Sequence, residues 1–271
     1  MSVAGRCFIN SVFGASVARL IVLIGLPLTI VLSISVQDGV VLASDSAVEH
    51  RGQVYYSAEK TVQLIKGVPI GVLVAGDGAI NNKAFIDVLK DFGAQNRSGQ
   101  GFFDKNNYTV EAVVRRLQDY LRSMAPMQVA KLRSTLIIGG YSSGAHTPEV
   151  WNLVFDSSDG VSVSQIWSPT EYGICWEGAG ECLHRLMNDD FTMDGSNDAS
   201  SPTLVTPGMP IHDAVALTRF LMEATIGYVR FRADLQPKTV GGPIDMAVIT
   251  RHEGFRWIQR KKLTAANSGK R

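Results

Sequence analysis

Little in this chain favours a metal, a disulfide framework or a polyanion. Its 271 residues include only three cysteines, Cys7, Cys175 and Cys182, an odd number that forms no paired framework and lacks the doubled spacing of a zinc site. A reduced, cytoplasmic protein is the expectation. The five histidines, His50, His146, His184, His212 and His252, are scattered without a metal-ligand pattern, so no metal and no cofactor is expected. The formal net charge is only +1, which supplies no field for drawing in nucleic acid. The basic end, Arg260-Lys261-Lys262 with Lys270-Arg271, reads as a solvated tail. No internal repeat, linker or composition shift divides the chain beyond residue 28. Since 45% of residues are hydrophobic and 19% charged, one sizeable core is the default.

Apolar character is concentrated near the start. Arg6 and Arg19 precede Leu20-Ile21-Val22-Leu23-Ile24-Gly25-Leu26-Pro27-Leu28, a pattern shared by signal peptides and anchors. Continued to Val36, the run falls short of the roughly 20 residues a membrane helix needs, and Gly25 and Pro27 interrupt it. Residues 1–28 are read as a pro-segment or an over-extended start. The alternative is export or membrane anchoring through residues 6–28.

From Thr29 the pattern changes to strict alternation. Ile30, Leu32, Ile34 and Val36 fall on one face and Thr29, Val31, Ser33 and Ser35 on the other, as in a half-buried strand. Asp38-Gly39 reads as a hairpin turn into Val40-Val41-Leu42-Ala43-Ser44-Asp45. A plain two-residue turn there pairs Leu32 with Asp45 and turns the carboxylate away from Thr29. A bulge at Gly39 shifts the register and brings the two together. Lys60 follows. A threonine is a poor nucleophile until something removes its proton, and an N-terminal threonine can use its own amine, tuned by a lysine and a carboxylate. Thr29, Asp45 and Lys60 are therefore candidate catalytic residues, although a strand threonine beside a structural ion pair has the same sequence. Gly76-Asp77-Gly78-Ala79-Ile80-Asn81-Asn82 lacks the lysine and glycine spacing of a phosphate loop and reads as a strand-to-helix turn.

These segments resemble the β-type subunits of the proteasome and their bacterial relatives, which are N-terminal-nucleophile hydrolases. The matching residues are Thr29 to Asp45, Lys60-Thr61-Val62-Gln63-Leu64-Ile65, Ile70 to Gly76, Glu177-Gly178-Ala179-Gly180 and Val240-Gly241-Gly242-Pro243-Ile244-Asp245. The resemblance runs from residue 29 to about residue 258. It implies Thr29 as nucleophile, Asp45 and Lys60 as the pair that sets its proton affinity, and the Gly76 backbone N–H as oxyanion donor. It also implies a threonine-type endopeptidase acting on polypeptides, self-assembly into a ring or stacked rings, and a cut before Thr29 that frees its amine. An ATP-dependent unfoldase is a further partner that the resemblance allows. Four positions depart from the family pattern. Ala179 stands where a serine is usual, Pro237 and Val240 where an aspartate and a serine are usual, and Leu28 where glycine normally precedes the nucleophile. The alternatives are therefore a non-catalytic scaffold or assembly subunit, or an amidase for small amides.

Further along, Lys83 to Phe92 carries Phe85, Ile86, Leu89 and Phe92 on one helical stripe, and a polar loop through Asn96 to Asn107 ends it. Val110, Val113, Val114, Leu117, Leu121 and Met124 mark a second helix, with Thr109 as its cap. Ser134 to Tyr141, Glu149 to Phe155 and Val161 to Trp167 read as strands, with a turn at Asp156 to Gly160. Helices are expected from Gly180 to Asn188 and from Asp213 to Arg230, the latter burying Val215, Leu221, Thr225 and Val229. Asp189 to Ser201 is a polar surface excursion between them. Ile244 to Thr250 and Phe255 to Ile258 close the sheet. This order predicts an α+β protein. The resemblance adds the architecture, a four-layer αββα sandwich of two antiparallel sheets flanked by helices. Residues 29–258 would form this domain and residues 259–271 a flexible basic tail.

Overall fold

The computed structural model describes residues 6–7, 29–96, 104–124, 133–156, 160–187, 204–232 and 240–261. The apolar run before Thr29, most of the Asp156 to Gly160 turn, the Asp189 to Ser201 excursion, Pro237 and the last ten residues lie outside them.

In chain order the strands begin with β1 (Arg6–Cys7), β2 (Ile30–Val36), β3 (Gly39–Ser44), β4 (Val48–His50), β5 (Gln53–Tyr55), β6 (Thr61–Gln63) and β7 (Ile70–Gly76). A small hairpin, β8 (Ala79–Ile80) and β9 (Lys83–Ala84), leads into α1 (Phe85–Gln95) and α2 (Val110–Met124). Then come β10 (Ser134–Gly140), β11 (Glu149–Asp156), β12 (Gly160–Trp167), β13 (Gly173–Gly178), α3 (Glu181–Met187), α4 (Ile211–Phe231), β14 (Asp245–Thr250) and β15 (Gly254–Gln259). One six-stranded sheet has the order β1-β13-β2-β3-β14-β15, and a five-stranded sheet has the order β12-β11-β10-β7-β6. All described pairings in both are antiparallel.

Three apolar layers show why the sheets stack. The face of β2 bearing Ile30, Leu32, Ile34 and Val36 packs with Leu221, Met222 and Val229 of α4 and Leu183 of α3. The opposite face of the other sheet packs with α1 and α2 through Phe85, Leu89, Phe92, Val113, Leu117 and Leu121. Between the sheets lie Val31, Val40, Leu42, Leu73, Ala75, Ile137 and Trp167. Helices thus cover both outer faces, as the αββα expectation requires. Alternation within each strand lets a single chain serve two of these layers at once.

Both early helices fall where their stripes place them. The Thr109 hydroxyl accepts the Ala112 amide at 3.1 Å, a side-chain cap at the start of α2. In α4, Leu221, Thr225 and Val229 are buried, but Val215 is only half-buried, and Ala214, Thr218 and Met222 supply the rest of the buried face. Strand β13, of which only Glu177 and Gly178 carry the resemblance and which no strand pattern predicts, is the neighbour of β2.

The hairpin register also differs from expectation. Val36 pairs with Gly39 and Leu32 with Ala43, so the two loop residues are Gln37 and Asp38 and no bulge forms at Gly39. Its effect is obtained otherwise. Strand β3 ends at Ser44, so Asp45 no longer obeys the alternation, and its side chain turns toward Thr29 while its amide still bonds the Ile30 carbonyl at 3.1 Å.

Candidate active site

Thr29 stands immediately before β2, with its carbonyl fixed by the Ala179 amide at 2.7 Å. That contact requires the chain to bend after β13. Gly178 has φ +99°, and a Cβ there would stand 1.8 Å from the Thr29 carbonyl oxygen, so no other residue fits without moving the threonine.

Asp45 is the hub of the site and is fully shielded from solvent. Its Oδ1 accepts the Thr29 hydroxyl at 2.8 Å, the Ile30 amide at 3.2 Å and the Lys60 ammonium at 2.5 Å. Its Oδ2 accepts the amides of Gly241 at 3.0 Å and Ala47 at 3.2 Å. Lys60 precedes β6 and is held by its own carbonyl, which accepts the Val74 amide at 2.8 Å. Its ammonium also donates to Thr29 Oγ1. Thr29 Oγ1 thus gives its proton toward a carboxylate and receives one from a buried cation. Burial pushes the Lys60 pKa below its ordinary value, against the opposing pull of Asp45, and the nearby Lys261 charge lowers it further. An amine held in that condition can exchange a proton with the threonine oxygen more readily than a solvated lysine.

Behind this trio lies a second charged layer. The Lys261 backbone amide donates to Asp245 Oδ1 at 2.8 Å, and its ammonium pairs with Asp245 Oδ2 and donates to Ser46 Oγ at 3.2 Å. Ser46 clamps the glycine loop, its amide on the Gly241 carbonyl at 3.0 Å and its hydroxyl on the Pro243 carbonyl at 2.7 Å. The loop in turn presents the Gly241 amide to Asp45. Lys261, expected in a solvated tail, is mostly enclosed, and Arg260 bonds Glu59 at 2.9 Å and stacks on Trp257. The tail reading fails for Lys261, which the buried Asp245 draws back onto the sheet, whereas Arg260 stays exposed while it bonds Glu59.

Gly76 closes β7 opposite Ser134, with φ +97° and the Arg133 carbonyl where a Cβ would be. It takes no part in the Thr29, Asp45 and Lys60 bonds, and it follows Ala75 in the layer between the sheets that also holds Val31. Ala179 is half-buried and Val240 buried, so both of these departures put apolar groups close to Thr29 or to the Gly241 loop. Sequence reasoning assigned no role to Ser46, Asp245, Lys261 or Glu177. Glu177, in β13, is a carboxyl that burial pushes up to about 7. A glutamate facing the inner layer of a strand such as Ile174-Cys175-Trp176-Glu177 is the signal that could have drawn attention to it.

Two stacked antiparallel sheets with helices on both outer faces make a proteasome-like fold, and Thr29, Asp45 and Lys60 meet beside the ends of strands β2, β3 and β6. Three solved structures agree. Anbu (ancestral beta-subunit) from Yersinia bercovieri superposes with a TM-score of 0.58 at 12% identity, covering 85% of this chain and 87% of that one. The helical assembly of the Anbu complex from Pseudomonas aeruginosa gives 0.59 at 15%, covering 87% and 88%. An Anbu Gly-1 mutant from Hyphomicrobium sp. strain MC1 gives 0.55 at 14%, covering 89% of each chain. No family model and no curated protein matches the sequence. The similarity is one of fold.

Proposed function

We propose that this chain is a proteasome-like threonine peptidase, acting once residues 1–28 are removed and the Thr29 amine is free. The observation that carries this reading is the buried contact of Thr29 Oγ1 with both Asp45 Oδ1, at 2.8 Å, and the Lys60 ammonium. The freed amine takes the hydroxyl proton as Oγ1 bonds to the scissile carbonyl carbon, and the Gly76 N–H receives the developing oxyanion. The C–N bond then breaks as the amine returns the proton to the leaving group. Water, deprotonated by the same amine, releases the acyl product and restores Thr29. Asp45 and Lys60 poise the amine and hydroxyl and do not bond to substrate. Self-assembly belongs to the same reading, supported by the helical assembly of the Anbu complex from Pseudomonas aeruginosa.

A scaffold without catalysis is the second reading, favoured by the apolar Ala179 and Val240 beside the site. Thr29→Ala separates the two. On the peptidase reading it abolishes hydrolysis of a mixed peptide library and any self-cleavage while the subunit still assembles. On the scaffold reading the unaltered protein is already inactive. A small-amide hydrolase would show turnover of short amides, lost in the same variant, without turnover of peptides.

A further inference from the structure

Glu177 faces Val31 directly across the β13–β2 pair. Directly opposed side chains in an antiparallel pair share a face, and alternation along β2 puts Thr29 on that face as well. The face is the one between the sheets, since Val31 and Cys175, two residues before Glu177, both belong to that layer. With the Ala179 amide on the Thr29 carbonyl, Glu177 is the diagonal neighbour of Thr29, with Cβ atoms roughly 7–8 Å apart or less. A peptide whose carbonyl meets Thr29 Oγ1 would carry a flanking side chain into that range.

Among the described residues no cation and no hydrogen-bond donor meets this carboxyl. Its burial with no partner costs the fold, and an apolar residue would serve packing better. Ser33 and Ser35 farther along the same face also lack partners, but they are neutral and sealed from solvent, whereas Glu177 is only partly enclosed. An ionised carboxylate is an acceptor only, and its complement is an ammonium or guanidinium.

We propose that Glu177 forms the base of a subsite for a cationic side chain, lysine or arginine, of a polypeptide bound at Thr29. The substrate class rests on the peptidase reading above, but the recognition itself does not require turnover. The test uses the full chain and its E177Q variant with blocked, N-acetylated peptides that differ at one position, lysine, arginine, leucine or glutamate, together with an unblocked leucine peptide. Binding is followed by calorimetry and cleavage by mass spectrometry. The expected result is that the lysine and arginine peptides bind, or are cleaved with a kcat/KM, about tenfold better than the leucine peptide, and that E177Q brings the ratio near one. Equal use of all blocked peptides, a preference that survives E177Q, or no binding of the basic peptides overturns the proposal. A gain confined to the unblocked peptide also overturns it, because the cation recognised would then be a terminal amine. Selective binding without cleavage upholds the subsite and removes the peptidase reading, so the two fail separately.

Discussion

At Asp45 a single carboxylate ties together the threonine hydroxyl, the lysine and two backbone loops, so its removal has two separable effects. Asp45→Asn leaves the buried Lys60 without its counter-charge, a loss of about 3–5 kcal/mol by the behaviour of broken buried pairs. Chemical denaturation should show that drop, and peptide hydrolysis should fall at least about 100-fold in whatever protein remains folded. Glu177 behaves in the opposite sense. Its folded pKa, about 7, lies above the ordinary 4.5, so the folded chain holds the proton more tightly than the unfolded one. Stability from this group is fully present below pH 4.5, declines as pH rises toward 7 and is gone above it, a span of about 3 kcal/mol. Glu177→Gln should therefore raise Tm at pH 8 and leave it nearly unchanged at pH 4.5. A variant less stable than the parent at pH 8 would mean that an unseen partner stabilises the carboxylate.

The junction of β13 with β2 is the element on which the position of Thr29 depends most. Gly178→Ala forces a Cβ against the Thr29 carbonyl at a φ of +99°, and we expect at least about 2 kcal/mol of destabilisation with loss of activity. Retention of both by this variant would show that the bend is not needed. This junction was also where sequence reading was least complete. The helical stripes of α1 and α2 and the alternation of β2 were visible because burial on one face fixes a period. Strand β13 runs straight into Gly178-Ala179-Gly180, whose glycines read as a turn and hide the strand before them. Asp38-Gly39 suits a tight turn, plain or bulged, whereas the chain turns at Gln37-Asp38 and Gly39 enters β3, two residues from the register of the plain turn and without the bulge. Thr29, Asp45 and Lys60 are singled out together by the family resemblance whatever the register, and Asp45 reaches Thr29 from beyond the strand end. Lys261 could not be, because its role depends on pairing with Asp245 across the β14–β15 hairpin, and a charge run near a terminus carries no trace of that pairing.

Across the whole molecule, the two sheets hold the site at the edge of one shared core, with a helical layer on each outer side. Exposed Phe220 and Phe231 on α4 leave apolar surface on one of those layers. If the chain assembles as the reading proposes, native mass spectrometry should find a multimer of identical subunits, and a monomer at micromolar concentration would count against that part. No helix among the described residues is long and apolar enough to cross a membrane. On the peptidase reading, catalysis depends on the removal of residues 1–28, because an amide nitrogen at Thr29 cannot serve as the base. The intact mass and N-terminal sequence of the purified protein test this most directly. The peptidase account predicts a chain that begins at Thr29, in the parent but not in Thr29→Ala. A mature chain that keeps Leu28 or begins at Met1 would contradict it.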